Sequence, residues 1–430
     1  MSPPSLLFVG HGAERSGPPV FLANFQRWLS GHTDVAFATV LTRGGTLVED
    51  YRRWGPVRVL DARWSLPRIA QQGLGRAGLR GPAAAVQASR DRSHLRSWRR
   101  APVTYVNTVS PATLRVLAHV DRSSLVIAHV HEMEAALRYR LDDQAHRLFR
   151  ERPDRYLAAS RAVAANLIEN HAIPAERIEV QYEFVEPVTA TGKGERPRLR
   201  RERGIPAEAF VVGASGMTEW RKGPDHFVRL AAELRRRTDR PLFFVWVGGA
   251  ESGPEWWPLD HEAHHLDVDD IVHFVGHQDD PGSWYRLFDV FTSTSREDAF
   301  PLAALEAATA GVPVITFDTG GMVEFVTRCD GGVVVPYPDV SGFADALAAL
   351  TDDDRRRAAL GAAAAEGARA HHVTDVSAPG LAAFLADLTA GSDRSIAATD
   401  VTPDDPPAAG PKGPARAARR SNRRLPRPLG

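Results

Sequence analysis

The stretch SREDAFPLAALEA, residues 295–307, decides the reading of this chain. It lies between two short apolar runs, residues 290–293 and 314–317, each the length of a buried strand. Pro301 suits a first helical turn, where a missing N–H costs nothing. Gly311 stands just past the expected helix end. The segment therefore reads strand, loop, helix, strand. In an open α/β sheet the loop after a strand's carboxyl end faces the ligand crevice. That puts Asp298 in the crevice loop and Glu306 on the following helix. Two carboxylates eight positions apart reach different parts of one extended ligand. Each accepts paired hydrogen bonds from hydroxyls, which sugars and ribose offer. Read as scaffold alone, Asp298 caps the helix and Glu306 is a solvated helix residue.

Outward from this segment the pattern repeats. Strands are expected at residues 210–214, 242–247, 271–275, 290–293, 314–317 and 332–335, with helices at 226–237, 302–310 and 343–350. The first half has strands at 6–10, 35–42, 57–60, 103–107, 125–129 and 156–159, with helices at 20–29 and 111–119. Strands alternating with helices give parallel sheets covered on both faces. The expected fold class is α/β, with two Rossmann-like, doubly wound domains facing a central cleft. The expected boundaries are 1–185, a polar linker at 186–203, a second domain at 204–372, a helix at 373–390 and a disordered tail at 391–430.

Composition narrows the class. A chain of 430 residues exceeds a single core, and 43% hydrophobic with 25% charged residues fits a globular protein. No run of about 18 uncharged apolar residues occurs, so no membrane-spanning helix is expected. The N-terminal apolar run is short and lacks a basic flank, which reads as a first strand, not a signal peptide. One cysteine, Cys329, excludes an internal disulfide and a cysteine-built metal site. The default location is the cytosol. Residues 62–100 carry nine arginines against the single acid Asp91, with Trp64 and Trp98 among them. This stretch is expected to be a solvated insertion or a surface for an anionic membrane or acceptor. No nucleic-acid partner is expected.

The run DAFPLAALEA, residues 298–307, resembles the E-G-F-P-L-x-x-L-E-A motif of the retaining glycosyltransferases of family 4, with aspartate for the first glutamate. AGVPVI, residues 310–315, matches as well. The resemblance implies a GT-B fold and transfer of a sugar, with retention, from a UDP-, GDP- or other nucleoside diphosphate sugar. The acceptor would be a glycan, lipid-linked or small-molecule hydroxyl, in cell-envelope or surface glycan synthesis, with no cofactor and no metal. The place would be the cytoplasm or the inner face of the membrane. It implies that Glu306 holds the nucleotide ribose and that Asp298 meets the donor sugar with backbone amides of Ala299, Phe300 and Leu302. Glu297 next door is a rival to Asp298.

Three further segments carry the resemblance. GMTEWRKGPD, residues 216–225, is similar to the family's arginine-and-lysine loop for the donor diphosphate. Lys222 and Gly223 fit, Met217 occupies the arginine position, and Arg221 substitutes if its side chain turns into the cleft. With only three lysines in the chain, Lys222 stands out. TGGMVEF, residues 319–325, is similar to the glycine-pair loop, whose amides at Gly320 and Gly321 would face the diphosphate or donor sugar; Glu324 is secondary. In the first half, GHGAERSGPPVF, residues 10–21, resembles the first glycine-bearing loop, with Gly17 near the diphosphate. HVHEMEAAL, residues 129–137, resembles the histidine loop, which implies that His131 touches donor sugar or acceptor and joins Lys222 and Asp298 as catalytic. His129 and His131 have no third ligand nearby in the sequence, so no metal is expected.

Overall fold

The computed structural model describes residues 4–61, 80–189 and 194–389. The apolar runs become two wholly parallel sheets. The first holds β1 (Leu6–Gly10), β2 (Phe37–Leu41), β3 (Val57–Val59), β4 (Val103–Asn107), β5 (Leu125–Val130), β6 (Arg155–Ala158) and β7 (Ile178–Val180) in the order β3-β2-β1-β4-β5-β6-β7. The second holds β8 (Phe210–Ser215), β9 (Leu242–Val247), β10 (Val272–Phe274), β11 (Val290–Ser293), β12 (Val314–Phe317) and β13 (Gly332–Val335) in the order β10-β9-β8-β11-β12-β13. β1, β2, β4 and β9 are buried at every residue, as strands covered on both faces require. Strand order reverses between β1 and β4 and again between β8 and β11. Each reversal opens a crevice at the strands' carboxyl ends.

One expectation about boundaries needs correction. The proposed linker at 186–203 contains a helix, Glu195–Glu202. Its only buried residue is Leu199, so the segment carries little apolar signal. The helix is fastened electrostatically instead: Arg196 and Arg200 reach the two oxygens of Asp289 at 2.8 and 3.1 Å, and Asp289 also accepts from the Val211 amide at the start of the second sheet. The final helix, Thr374–Thr389, falls within the expected 373–390. It packs on the helix Gly17–His32 and on β4 of the first half. The chain thus crosses between halves twice, near residues 183–188 and 371–374. The crossings are bonded to each other, Val185 N to His372 O at 2.8 Å and Thr374 N to Val185 O at 3.0 Å.

The arginine-rich stretch is corrected in part. Residues 80–95 form a helix that packs into the first half. Asp91 is fully buried and accepts from Arg115 at 2.7 Å and Gln87 at 2.8 Å. Trp98 is buried under the Arg58 guanidinium, 3.8 Å from the ring centre, and so is not free to enter a membrane. Residues 62–79 with Trp64, and the tail from 390 onward, lie outside the described residues. Among the described residues no helix is long and apolar enough to cross a membrane.

Candidate active site

The loop after β8 and the loop after β11 meet at the second sheet's reversal point. The cavity there is lined by Ser215, Lys222, Trp246, Thr294, Ser295 and Asp298. Lys222 Nζ donates to Asp298 Oδ2 at 2.5 Å, and Ser295 Oγ donates to the same oxygen at 3.3 Å. Arg221 does turn inward: its guanidinium lies 3.8 Å from Asp298 Oδ1 and donates to the Glu297 carbonyl at 3.1 Å and to Glu219 at 2.6 Å. Met217, at the position expected to hold arginine, is half exposed. Burial alone works against the charge on Asp298, but the Lys222 ammonium and Arg221 guanidinium outweigh it and hold the carboxyl below its usual value. Burial draws Lys222 below the usual lysine value against that same attraction. Lys222 and Arg221 thus bring two cations to the crevice, set against the carboxylates of Asp298 and Glu219.

Glu306 stands on the helix Leu302–Thr309, beside the Tyr285 hydroxyl, which also lies 3.0 Å from Ser215 Oγ at the end of β8. Burial pushes the Glu306 carboxyl up to about 7, with the Arg15 guanidinium from the first half pulling the other way. Tyr285 carries no signal in the sequence, since it lies on a four-residue helix 21 positions upstream. Phe300 sends its ring away from the cavity, stacked on His372 at 5.2 Å and tilted against Tyr182 at 5.4 Å. Only its backbone remains available to a ligand. Gly17 opens its helix behind Ser16, and a side chain there would meet nothing within 4 Å.

One of the two glycines, Gly321, is corrected in role. The Gly321 amide donates to the Asp298 carbonyl at 3.1 Å and so is not free for a ligand. Gly320 has φ +73°, and a Cβ there would lie 1.8 Å from the Asp298 carbonyl oxygen. A Cβ at Gly321 would lie 2.7 Å from Ser160 Cβ of the first half. The pair therefore shapes the Asp298 loop and lets the halves approach.

His131 is also corrected. Its side chain is 3% exposed, and both ring nitrogens are engaged within the first half, Nδ1 by Glu183 and Nε2 by Asn107 Oδ1 at 2.9 Å. Asn107 Nδ2 in turn donates to the Pro18 carbonyl at 2.8 Å. The Asn107 amide oxygen needs a donor, so His131 carries its proton on Nε2 and Nδ1 must accept. The Glu183 carboxyl then donates, which requires it protonated. Burial acts in that direction, pushing Glu183 up to about 8 and drawing His131 down to about 3. His131 thus anchors the glycine-bearing loop through Asn107. Glu183 is also the third ligand-type residue that the His129–His131 pair lacked in the sequence; the three bring their atoms within 4.8 Å. The hydrogen-bond chain already occupies both nitrogens of His131. A neutral donor at Glu183 makes Glu183→Gln nearly silent, since its amide N–H replaces the carboxyl proton. Glu183→Ala leaves Nδ1 buried without a donor, at a cost of about 1–3 kcal/mol. Paired urea melts of the two variants check this; equal losses would mean that the carboxyl is charged.

Residues 195–367 match the family described as Glycosyl transferases group 1. The second half of the chain resembles this family. Curated relatives named D-inositol 3-phosphate glycosyltransferase include one from Kribbella flavida, 33% identical over 264 residues, covering 60% of this chain and 61% of that protein. Another, from Salinispora arenicola, is 34% identical and covers 51% of this chain and 50% of that protein. The chain therefore spans about half to three-fifths of the curated relatives it matches. Among solved structures, Anabaena Alr3699/HepE in complex with UDP superposes with a TM-score of 0.71 at 19% identity, over 90% of this chain and 100% of that one. Sucrose-phosphate synthase from Thermosynechococcus elongatus gives 0.72 at 15% identity, over 91% and 100%. At these identities the likeness concerns the fold, two facing Rossmann-like sheets of GT-B type.

Proposed function

We propose that this chain is a glycosyltransferase that moves a sugar from a nucleoside diphosphate sugar to an acceptor hydroxyl, with retention at the anomeric carbon. The observation that carries the reading is the buried Lys222–Asp298 pair, with Arg221 beside it, at the second sheet's reversal point. The leaving diphosphate gains charge in the transition state, and fixed cations in a water-poor cleft stabilise that charge. Lys222 and Arg221 fill this role without a metal, so transfer is expected to persist in EDTA. Asp298 meets the donor sugar and Glu306 the ribose. UDP is the favoured nucleotide, because a similar fold has been solved with UDP-glucose. Retention rests on the family resemblance, with the departing phosphate deprotonating the acceptor on the same face. Burial first, then the nearby Arg43 and Arg140 guanidinium groups, draw His11 down to about 4, and two cations beside the carboxyl end of β1 are compatible with an acceptor bearing an anionic group. The relatives named for D-inositol 3-phosphate fit that chemistry.

Titration calorimetry with UDP tests the donor half. Ribose hydroxyls need an ionised acceptor, and Glu306 titrates at about 7. The carboxylate is mostly protonated at pH 6 and mostly ionised at pH 8, so affinity is expected to rise about tenfold across that interval. Glu306→Gln should bind more weakly and lose the slope. Absence of UDP binding at any pH would sink the sugar-nucleotide reading.

A further inference from the structure

Two carboxylates of the second half are spent on neither the donor cavity nor their own domain. Glu297, adjacent to Asp298 and expected as its rival for the sugar, extends to the first half and accepts from the Ala135 amide at 2.9 Å. That amide is in the first turn of the helix Glu134–Arg140. Glu324, on the helix behind the glycine pair, accepts from Ala162 N at 2.9 Å and Arg161 N at 3.1 Å, in the first turn of Arg161–His171. Tyr182, in the outgoing crossing segment, donates its hydroxyl to Glu324 at 2.7 Å. Ser160 caps the next amide, Val163, at 3.2 Å, so Glu324 and Ser160 together satisfy three amides that have no partner inside the helix. The two helices are themselves tied by Glu134 to His171 at 2.8 Å.

We propose that Glu297 and Glu324 are positioning residues that hold the cleft closed over the donor by seating their carboxylates on these two helix starts. The proposal rests on the sugar-nucleotide reading above. The contrast across the interface supports it. On the crossing side, Phe300, Tyr182 and His372 stack and the last helix packs on the first half's core. Next to that stack Glu324 accepts from the Tyr182 hydroxyl, but its other bonds, like that from Ala135 to Glu297, are charge to amide, which water replaces when the halves part. A negative carboxylate gains from both the unpaired N–H groups and the positive end of the helix. Glu297 links closing to chemistry. Its backbone carbonyl accepts from Arg221 and its neighbour is Asp298, so seating its side chain fixes the loop that carries the sugar-binding acid and the guanidinium beside it. Gly321 permits the approach, because any side chain there would strike Ser160.

The test uses the full chain with Glu297→Ala, Glu324→Ala, the double variant and Glu324→Gln, with circular dichroism confirming that each is folded. In saturating UDP, small-angle X-ray scattering should give a larger radius of gyration for the double variant than for the parent. UDP affinity should change less than threefold, since the nucleotide contacts lie within the second half. With a UDP-sugar donor, kcat should fall about tenfold for each alanine variant while the donor KM moves little. Glu324→Gln keeps an acceptor oxygen and should recover several-fold of the loss. A double variant that binds UDP, scatters like the parent and keeps kcat within twofold would overturn the proposal. A parent chain that binds no UDP would instead sink the reading on which it rests.

Discussion

Lys222→Ala is expected to lower kcat for sugar transfer by about 10²–10³, the range seen when one preorganised stabiliser of developing negative charge is removed. Lys222 has two tasks. It faces the cavity as a cation and it neutralises Asp298 at 2.5 Å. Without it, Asp298 keeps only Arg221, at 3.8 Å, as a counter-charge. Its carboxyl should then titrate higher than in the parent, because burial is no longer outweighed. Stripping one partner from a buried pair costs up to roughly 3 kcal/mol, less whatever Arg221 recovers. The nucleotide-free melting temperature should therefore fall, and the rise produced by UDP in the parent should shrink sharply. Lys222→Arg should rescue little, since a planar fork does not replace a compact ammonium in a filled site. Steady-state kinetics and melts with and without UDP read both effects. Unchanged kcat in Lys222→Ala would remove the lysine from the chemistry.

Gly320→Ala is the second large effect. The residue sits at φ +73°, and its missing Cβ would lie 1.8 Å from the Asp298 carbonyl oxygen. Alanine there pays for the left-handed backbone, about 1–2 kcal/mol. It must also push residues 298–300 aside, an overpacking cost of about 1–3 kcal/mol. The Gly321 amide bond to the Asp298 carbonyl cannot survive that shift. A displacement of about 1 Å in a positioning loop lowers rate by about 10²-fold. The variant should thus lose several degrees of melting temperature and most of its activity, while UDP, held through Glu306 and Lys222, still binds. Loss of UDP binding equal to the loss of rate would mean that the loop serves the nucleotide instead.

The sequence made the donor side visible because its signals are local. Asp298, Pro301, Glu306 and Gly311 fall within one strand–loop–helix unit, and Gly311 does take a left-handed φ of +85° just past the helix. Lys222 stood out by scarcity. The direction of the Arg221 side chain had no such mark, since the Glu297 carbonyl it meets lies 76 residues away. The surroundings of His131 are hidden in the sequence for the same reason. Its partners Asn107 and Glu183 stand 24 and 52 residues off, and nothing in HVHE says that both nitrogens are engaged. Glu324 was read as secondary because the helix it caps begins 163 residues earlier. The edge strand β7 has only half-buried and exposed residues, so its apolar signal is weak. The helix Glu195–Glu202 is held by Asp289 rather than by an apolar face, a pattern that hydropathy does not register.

The two crossings of the chain fix more than connectivity. A single tether leaves a pair of bodies free to swing, slide and spin. Here the outgoing pass at Val185 and the returning pass at His372 and Thr374 are bonded edge to edge, and the last helix is clasped by the first body's core. Such a fastening acts as a pin. Rotation about it stays soft, while sliding along the cleft or twisting across it must break the pin itself. The gap between the donor cavity and the carboxyl end of β1 then varies with one angle. One degree of freedom suffices to admit the donor, seat it and bring the two reacting partners into line.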